Sequence, residues 1–90
     1  MIEGILTRNQ TQYLHAKLDN EMVLMHVETA DYFGMDPTTT HIWELLEEDM
    51  SLDHLINKLV DIYTVDYETC KNDVTPIIED LIERKVLLTV

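Results

Sequence analysis

The chain has 90 residues, which is enough for one domain with a single core and too few for a deep catalytic cleft. Eighteen acidic residues against six basic residues leave a net charge of −12, and the basic residues are scattered along the sequence. This charge argues against nucleic acid and against an anionic membrane surface as partners, because both are bound through concentrated cationic faces.

The cysteine content and the first residues indicate the compartment. Cys70 is the single cysteine, so the sequence offers no internal disulfide. The first residues contain neither a basic leader nor a long apolar run, and no stretch approaches the length of a membrane-spanning helix. We therefore expect a cytosolic protein whose residues 1–90 form one domain.

Three extended segments open the fold. Short runs rich in apolar residues cover positions 13–18, 22–27 and 32–35, and they are typical of strands. Asp19-Asn20-Glu21 and the segment 28–31 separate these runs and suit hairpin connections. The sequence therefore predicts a three-stranded antiparallel sheet. Tyr32 and Phe33 are neighbours on the third strand, so one should face the core and the other solvent or a partner.

The apolar period becomes helical from Pro37 onward. Asp36, Ser51 and Asp66 are good N-caps for three helices, and Pro37 suits a first helical position. In the first helix, we interpret Trp43 as a core anchor. Pro76 removes one backbone donor from the third helix and predicts either a kink or a helix in two pieces. The third helix carries a wide apolar stripe made of Tyr67, Cys70, Val74, Ile77, Ile78, Leu81 and Ile82.

Three strands followed by three helices predict an α+β fold of the winged-helix-like type, in which the sheet rests against the helices. The last five residues, 86–90, are compatible with a short extended tail.

Two segments carry a family resemblance. Tyr32-Phe33-Gly34-Met35-Asp36-Pro37 and Ile42-Trp43-Glu44-Leu45-Leu46, followed by an apolar helix and by Asp73-Val74 leading to Ile77-Ile78, make the chain resemble the PqqD family. The resemblance runs from about residue 14 to residue 88. The family is named for the coenzyme-PQQ synthesis protein D and includes elements that recognise ribosomally made precursor peptides.

The resemblance implies a non-catalytic protein without a cofactor. It would bind the leader segment of a precursor and present it to a modifying enzyme or a leader peptidase. The short chain is similar to the recognition proteins of lasso-peptide pathways, where a cyclase also acts, and equally to the peptide chaperones of radical SAM enzymes. The leader would add as a strand to the edge formed by residues 31–36 and anchor against the last helix. The peptide-binding residues expected from this arrangement are Asp31, Tyr32, Phe33, Gly34, Met35, Lys71, Val74, Ile77, Ile78 and Leu81.

The same residues are also compatible with ordinary structural roles. An apolar helix stripe usually belongs to the core, and only the width of this one points to a partner. The four histidines lie on different predicted elements without metal-ligand spacing, and Cys70 reads as a small buried hydrophobe. The acidic cluster Glu44, Glu47, Glu48 and Asp49 is either a solvated surface or a dock for a basic patch on a downstream enzyme.

Two other classes of protein share some of these sequence features. A winged-helix DNA-binding regulator shares the order of strands and helices, but its recognition helix would carry Asp73, Glu79, Asp80 and Glu83 towards phosphates. A small enzyme is the other rival, and the sequence shows no nucleophile–base pair or metal-ligand spacing for it. Monomer and dimer are both compatible with the sequence.

Overall fold

The architecture is taken from a computed structural model that describes residues 2–19 and 21–90. Within those residues the chain forms six strands and three helices. In chain order they are β1 Ile5–Arg8, β2 Tyr13–Leu18, β3 Glu21–His26, β4 Tyr32–Gly34, α1 Pro37–Leu45, β5 Met50–Ser51, α2 Leu52–Tyr63, α3 Tyr67–Glu83 and β6 Leu87–Thr89.

The predicted meander is confirmed as an antiparallel sheet with the order β2-β3-β4. Leu24 of β3 lies opposite Phe33 of β4, and His15 of β2 lies opposite Leu24 on the other side. The observed strands agree with the predicted segments to within one residue at each end. In the second connection Ala30 has a positive φ of 62°. Asn20, placed by the sequence in the first connection, lies outside the described residues.

A second three-stranded sheet with the order β5-β1-β6 was not predicted. Strand β1 pairs with β5 on one side and with β6 on the other, both antiparallel. The expected extended tail is therefore β6, a strand that pairs with the opposite end of the chain. The amide of Ile5 donates to the carbonyl of Val90 over 2.9 Å, and the amide of Val90 donates back to Ile5 over 2.9 Å.

The three predicted N-caps are confirmed. The side chains of Asp36, Ser51 and Asp66 accept hydrogen bonds from the third amide of α1, α2 and α3 over 2.7, 3.2 and 3.0 Å. These bonds satisfy donors that a helix start leaves unpaired. Helix α3 is continuous from Tyr67 to Glu83 with Pro76 inside it, so the alternative of a helix in two pieces is wrong.

The core lies where the helices meet both sheets. Trp43 is 2% exposed, which confirms it as a core residue. Arg8 covers it: the guanidinium carbon lies 4.7 Å from the ring centroid, and Nε donates to the carbonyl of Trp43 over 2.7 Å. That bond also satisfies a carbonyl near the end of α1. The fully buried core residues are Leu6, Leu24, Ile42, Leu55, Ile56, Leu59, Ile78, Val86 and Leu87.

Candidate functional site

The free edge of β4 is the first part of the site. The amide of Met35 donates to β3 over 2.8 Å, and the carbonyl of Asp31 accepts from β3 over 2.8 Å. Because hydrogen-bonding directions alternate along an antiparallel strand, residues 31, 33 and 35 pair inward. Tyr32 and Gly34 therefore direct their N–H and C=O groups away from β3. The outward groups of these two residues can form hydrogen bonds with the backbone of an added strand. The prediction that β4 is an edge strand is confirmed.

Gly34 leaves this edge unobstructed. A Cβ built at Gly34 would have only a carboxylate oxygen of Glu21 near it, at 3.9 Å, so no packed neighbour requires glycine. The side chains of the two preceding residues point to opposite faces, as expected: Tyr32 is 72% exposed, whereas Phe33 is half-buried against the core.

Helix α3 provides a wall next to this edge. Near its C-terminal end, the guanidinium carbon of Arg84 lies 5.8 Å from the ring centroid of Phe33. In the first half of α3, Asp73 and Val74 line a cavity of about 200 Å³ together with Thr38 of α1. These two contacts place the C-terminal end of α3 near β4 and its first half near the start of α1.

The burial of the α3 stripe corrects one expectation. Ile78 is 0% exposed, and Val74 and Leu81 are also buried, so this row belongs to the core rather than to an open cleft. Ile77 is only partly buried and packs at the edge of the core. Asp73, Ile77 and Arg84 lie on the same flank of α3, because four and seven residues separate them along the sequence. Ile77 is the residue of the apolar stripe that lies on this flank, and it is partly exposed.

Lys71 is not brought together with the other predicted site residues. Two residues along a helix turn the side-chain direction by about 200°, so Lys71 lies about 160° around α3 from Asp73, which lines the cavity. In contrast, residues 32–34 form β4, and Asp31 and Met35 flank it. The side chain of Met35 is buried in the core, so the expectation that it contacts the peptide is not met. Sequence reasoning missed Thr38, Asp73 and Arg84. Asp73 lies four residues before Ile77 and Arg84 lies seven residues after it, and this helical spacing was the available signal for both.

The chemistry of the site is that of a binding surface. Burial raises the pKa of the Cys70 thiol, and the negative charges of Asp73 and Asp66 raise it further. The thiol is therefore protonated near neutral pH, which makes it a poor nucleophile. Among the described residues, no three His, Cys, Asp or Glu side chains come together as metal ligands. In the same part of the chain, no helix is both long and apolar enough to cross a bilayer.

The outward backbone groups of an edge strand such as β4 can accept an extended peptide by strand addition. Comparison with known proteins agrees with this class of ligand. The sequence profile of the family described as coenzyme PQQ synthesis protein D (PqqD) matches residues 21–87. The chain belongs to the PqqD family.

One similar solved structure is described as TbiB1 in complex with the TbiA(beta) leader peptide. The two chains are 30% identical, the match covers 90% of this chain and 93% of that chain, and the TM-score is 0.77. A search of curated proteins gives no significant match.

Proposed function

We propose that this protein binds the leader segment of a ribosomally synthesised precursor peptide and presents it to a leader peptidase and a cyclase, as in lasso-peptide biosynthesis. The leader adds as a fourth strand to β4 and anchors its apolar side chains against α3. The protein itself performs no chemistry on the peptide. It acts in the cytosol, where such a precursor is made.

The free edge of β4 beside α3 carries this proposal. Tyr32 and Gly34 direct outward backbone groups that have no partner among the described residues, and Ile77 offers an apolar contact on the neighbouring helix wall. The similar structure of TbiB1 was determined with a leader peptide, which supports the same class of ligand here. Main-chain bonds would set the register of the leader, and the α3 wall would select its side chains.

A linear leader loses conformational entropy when it docks, so a middle range of affinity is expected. We expect a dissociation constant on the order of 10 nM to 10 μM. Delivery would then depend on effective concentration, because holding precursor and enzyme on one platform raises the rate of their encounter without new contacts.

Service to a radical SAM enzyme is the second candidate, and membership of a family named for PQQ synthesis favours it. The neighbouring genes separate the two candidates. A short precursor gene beside genes for a transglutaminase-like peptidase and an asparagine-synthetase-like cyclase supports the lasso assignment, whereas a radical-enzyme gene supports the alternative.

Amide hydrogen exchange during titration with a synthetic leader tests strand addition directly. The amides of Tyr32 and Gly34 should exchange fast in the free protein and become protected in the complex. The amides of Phe33 and Met35 point towards β3 and serve as internal controls that are protected in both states. Leader binding that leaves the exchange of Tyr32 and Gly34 unchanged would show that the leader occupies another surface.

A further inference from the structure

The cavity between α1 and α3 lies within reach of a leader bound at β4. Thr38, which lines it, follows Gly34 by four residues, so at most about 14 Å separates the two positions. An extended leader that pairs with Gly34 and continues past it covers this distance in about four further residues. The cavity volume is about 200 Å³, and one water molecule takes about 30 Å³, so there is room for a single side chain. The residues that line the cavity are Thr38, Tyr63, Val65, Cys70, Asp73 and Val74.

The lining of this cavity is mostly apolar and carries one charge. Cys70 and Val74 are buried and form its inner part. Tyr63 and Val65 are 39% and 38% exposed and form its rim. Asp73 is exposed and is the one charged residue among the six that line the cavity. A side chain that enters here therefore meets apolar walls and a carboxylate.

Asp73 has no cationic partner in the part of the chain that the structure describes. The ion pair found there joins Arg84 to Asp80. Lys71, two residues before Asp73, is directed about 160° away from it around α3. The charge of Asp73 nevertheless reaches the inner part of the cavity: burial raises the pKa of the Cys70 thiol, and the negative charge of Asp73 raises it further. The cavity is an apolar recess with an uncompensated negative charge.

A basic side chain of the leader fits this recess better than the alternatives. The aliphatic stem of a lysine or arginine can pack against the apolar walls while its charged end reaches the carboxylate. An acidic side chain would be repelled by Asp73 and by the net charge of −12. A wholly apolar side chain would cover the carboxylate without offering it a hydrogen bond, which costs free energy.

We propose that Asp73 is a specificity-determining residue, which pairs with a lysine or arginine of the leader whose side chain fills this cavity. The inference rests on the proposed function, because it assigns one subsite to a leader bound at β4. It also gives the leader a chemical requirement beyond an extended backbone and apolar anchors, namely a basic residue a few positions beyond the one that pairs with Gly34.

A double-mutant cycle between protein and leader tests the inference. The protein variant is Asp73→Asn, which removes the charge and keeps the shape of an exposed side chain, so the fold should be retained; circular dichroism checks this. The matched control is Glu79→Gln, because Glu79 is exposed on α3 but does not line the cavity. The probe is the synthetic leader of the precursor encoded beside this gene, with each of its lysines and arginines replaced in turn by methionine.

The Asp73→Asn variant should bind the native leader at least about fivefold more weakly than wild type, which is the upper range for a partly exposed ion pair. One methionine replacement in the leader should weaken binding to wild type by a similar factor and should cause no further loss with Asp73→Asn. The Glu79→Gln control should bind every leader within about twofold of wild type. The difference between wild type and Asp73→Asn should shrink as salt rises.

Equal affinity of wild type and Asp73→Asn for the native leader would overturn the inference. Additive effects for every basic residue of the leader would also overturn it, as would full affinity for a native leader that contains no basic residue. If wild type bound no leader at all, the proposed function and this inference would both fail. Intact wild-type binding without coupling to Asp73 refutes the inference alone.

Discussion

Replacing Gly34 by proline should abolish most leader binding while leaving the fold intact. The Gly34 amide points to the free edge, so the substitution removes no bond within the sheet. Proline is tolerated on edge strands for this reason. In the complex, however, the substitution deletes one donor to the leader and inserts a ring where the leader backbone must pass.

The size of the effect follows from the lost hydrogen bond. A typical bond of this kind contributes about 0.5–1.5 kcal/mol net, and leaving the leader carbonyl unpaired in a partly closed groove costs about 1–3 kcal/mol. We therefore expect a loss of at least about 1.4 kcal/mol, which corresponds to about tenfold in the dissociation constant.

Fluorescence anisotropy with a labelled leader measures the loss, and Gly34→Ala is the matched control. Alanine keeps the N–H, and its Cβ meets only the Glu21 carboxylate at 3.9 Å. The control should bind within about threefold of wild type, an allowance of roughly 0.6 kcal/mol. A folded Gly34→Pro variant with wild-type affinity would refute strand addition at β4.

Four further outcomes are expected. The Ile77→Asp variant should stay folded but bind the leader more weakly. The Ile78→Asp variant should unfold, because residue 78 is fully buried and the substitution would bury a charge. Leader titrations and thermal melts of both variants check this contrast. Trp43→Ala should destabilise the domain by about 3–5 kcal/mol in urea unfolding, and a loss below about 1 kcal/mol would contradict its role in the core. Hydrogen bonds from Thr69 hold the pKa of Asp66 below its ordinary value of 3.8, so its capping contribution should be present above that pH and lost as the pH falls through the lowered pKa. Thermal melts at decreasing pH should therefore show a wild-type stability that falls towards that of Asp66→Ala, and an unchanged difference between the two proteins in acid would contradict this role. Duplex DNA should show no retarded band at micromolar protein and physiological salt, because the net charge is −12 and Arg84, which follows α3, already pairs with Asp80 over 3.2 Å.

Local signals in the sequence were sufficient for the meander and for the helix starts. Each of Asp36, Ser51 and Asp66 caps a helix through an amide only three residues away, so the information lies within one turn. The second sheet depends on pairing between residues that are far apart in sequence. Its strand β5 has only two residues, which is too short to show an alternating pattern.

The row of α3 that faces the site could not be predicted from periodicity. Ile77 and Ile78 both belong to a stripe wider than one neighbour requires, and only the packing of the other elements decides which is covered. Periodicity alone also does not show whether Lys71 faces the site. Its direction around α3 becomes informative only once Thr38 and Asp73 are known to line the cavity. The stacking of Arg8 on Trp43 likewise joins residues 35 positions apart.

The pairing of Ile5 with Val90 has a consequence for engineering. Gly4 has a φ of 84°, and a Cβ there would lie 2.5 Å from the Val90 carbonyl oxygen, so the chain segments at residues 4 and 90 are in close contact. A short linker between them would permit circular permutation, with new ends placed in the exposed loop before β4. The same proximity means that a protein fused ahead of residue 2 or behind residue 90 would be tethered at one common point, on a sheet that does not include the β4 edge.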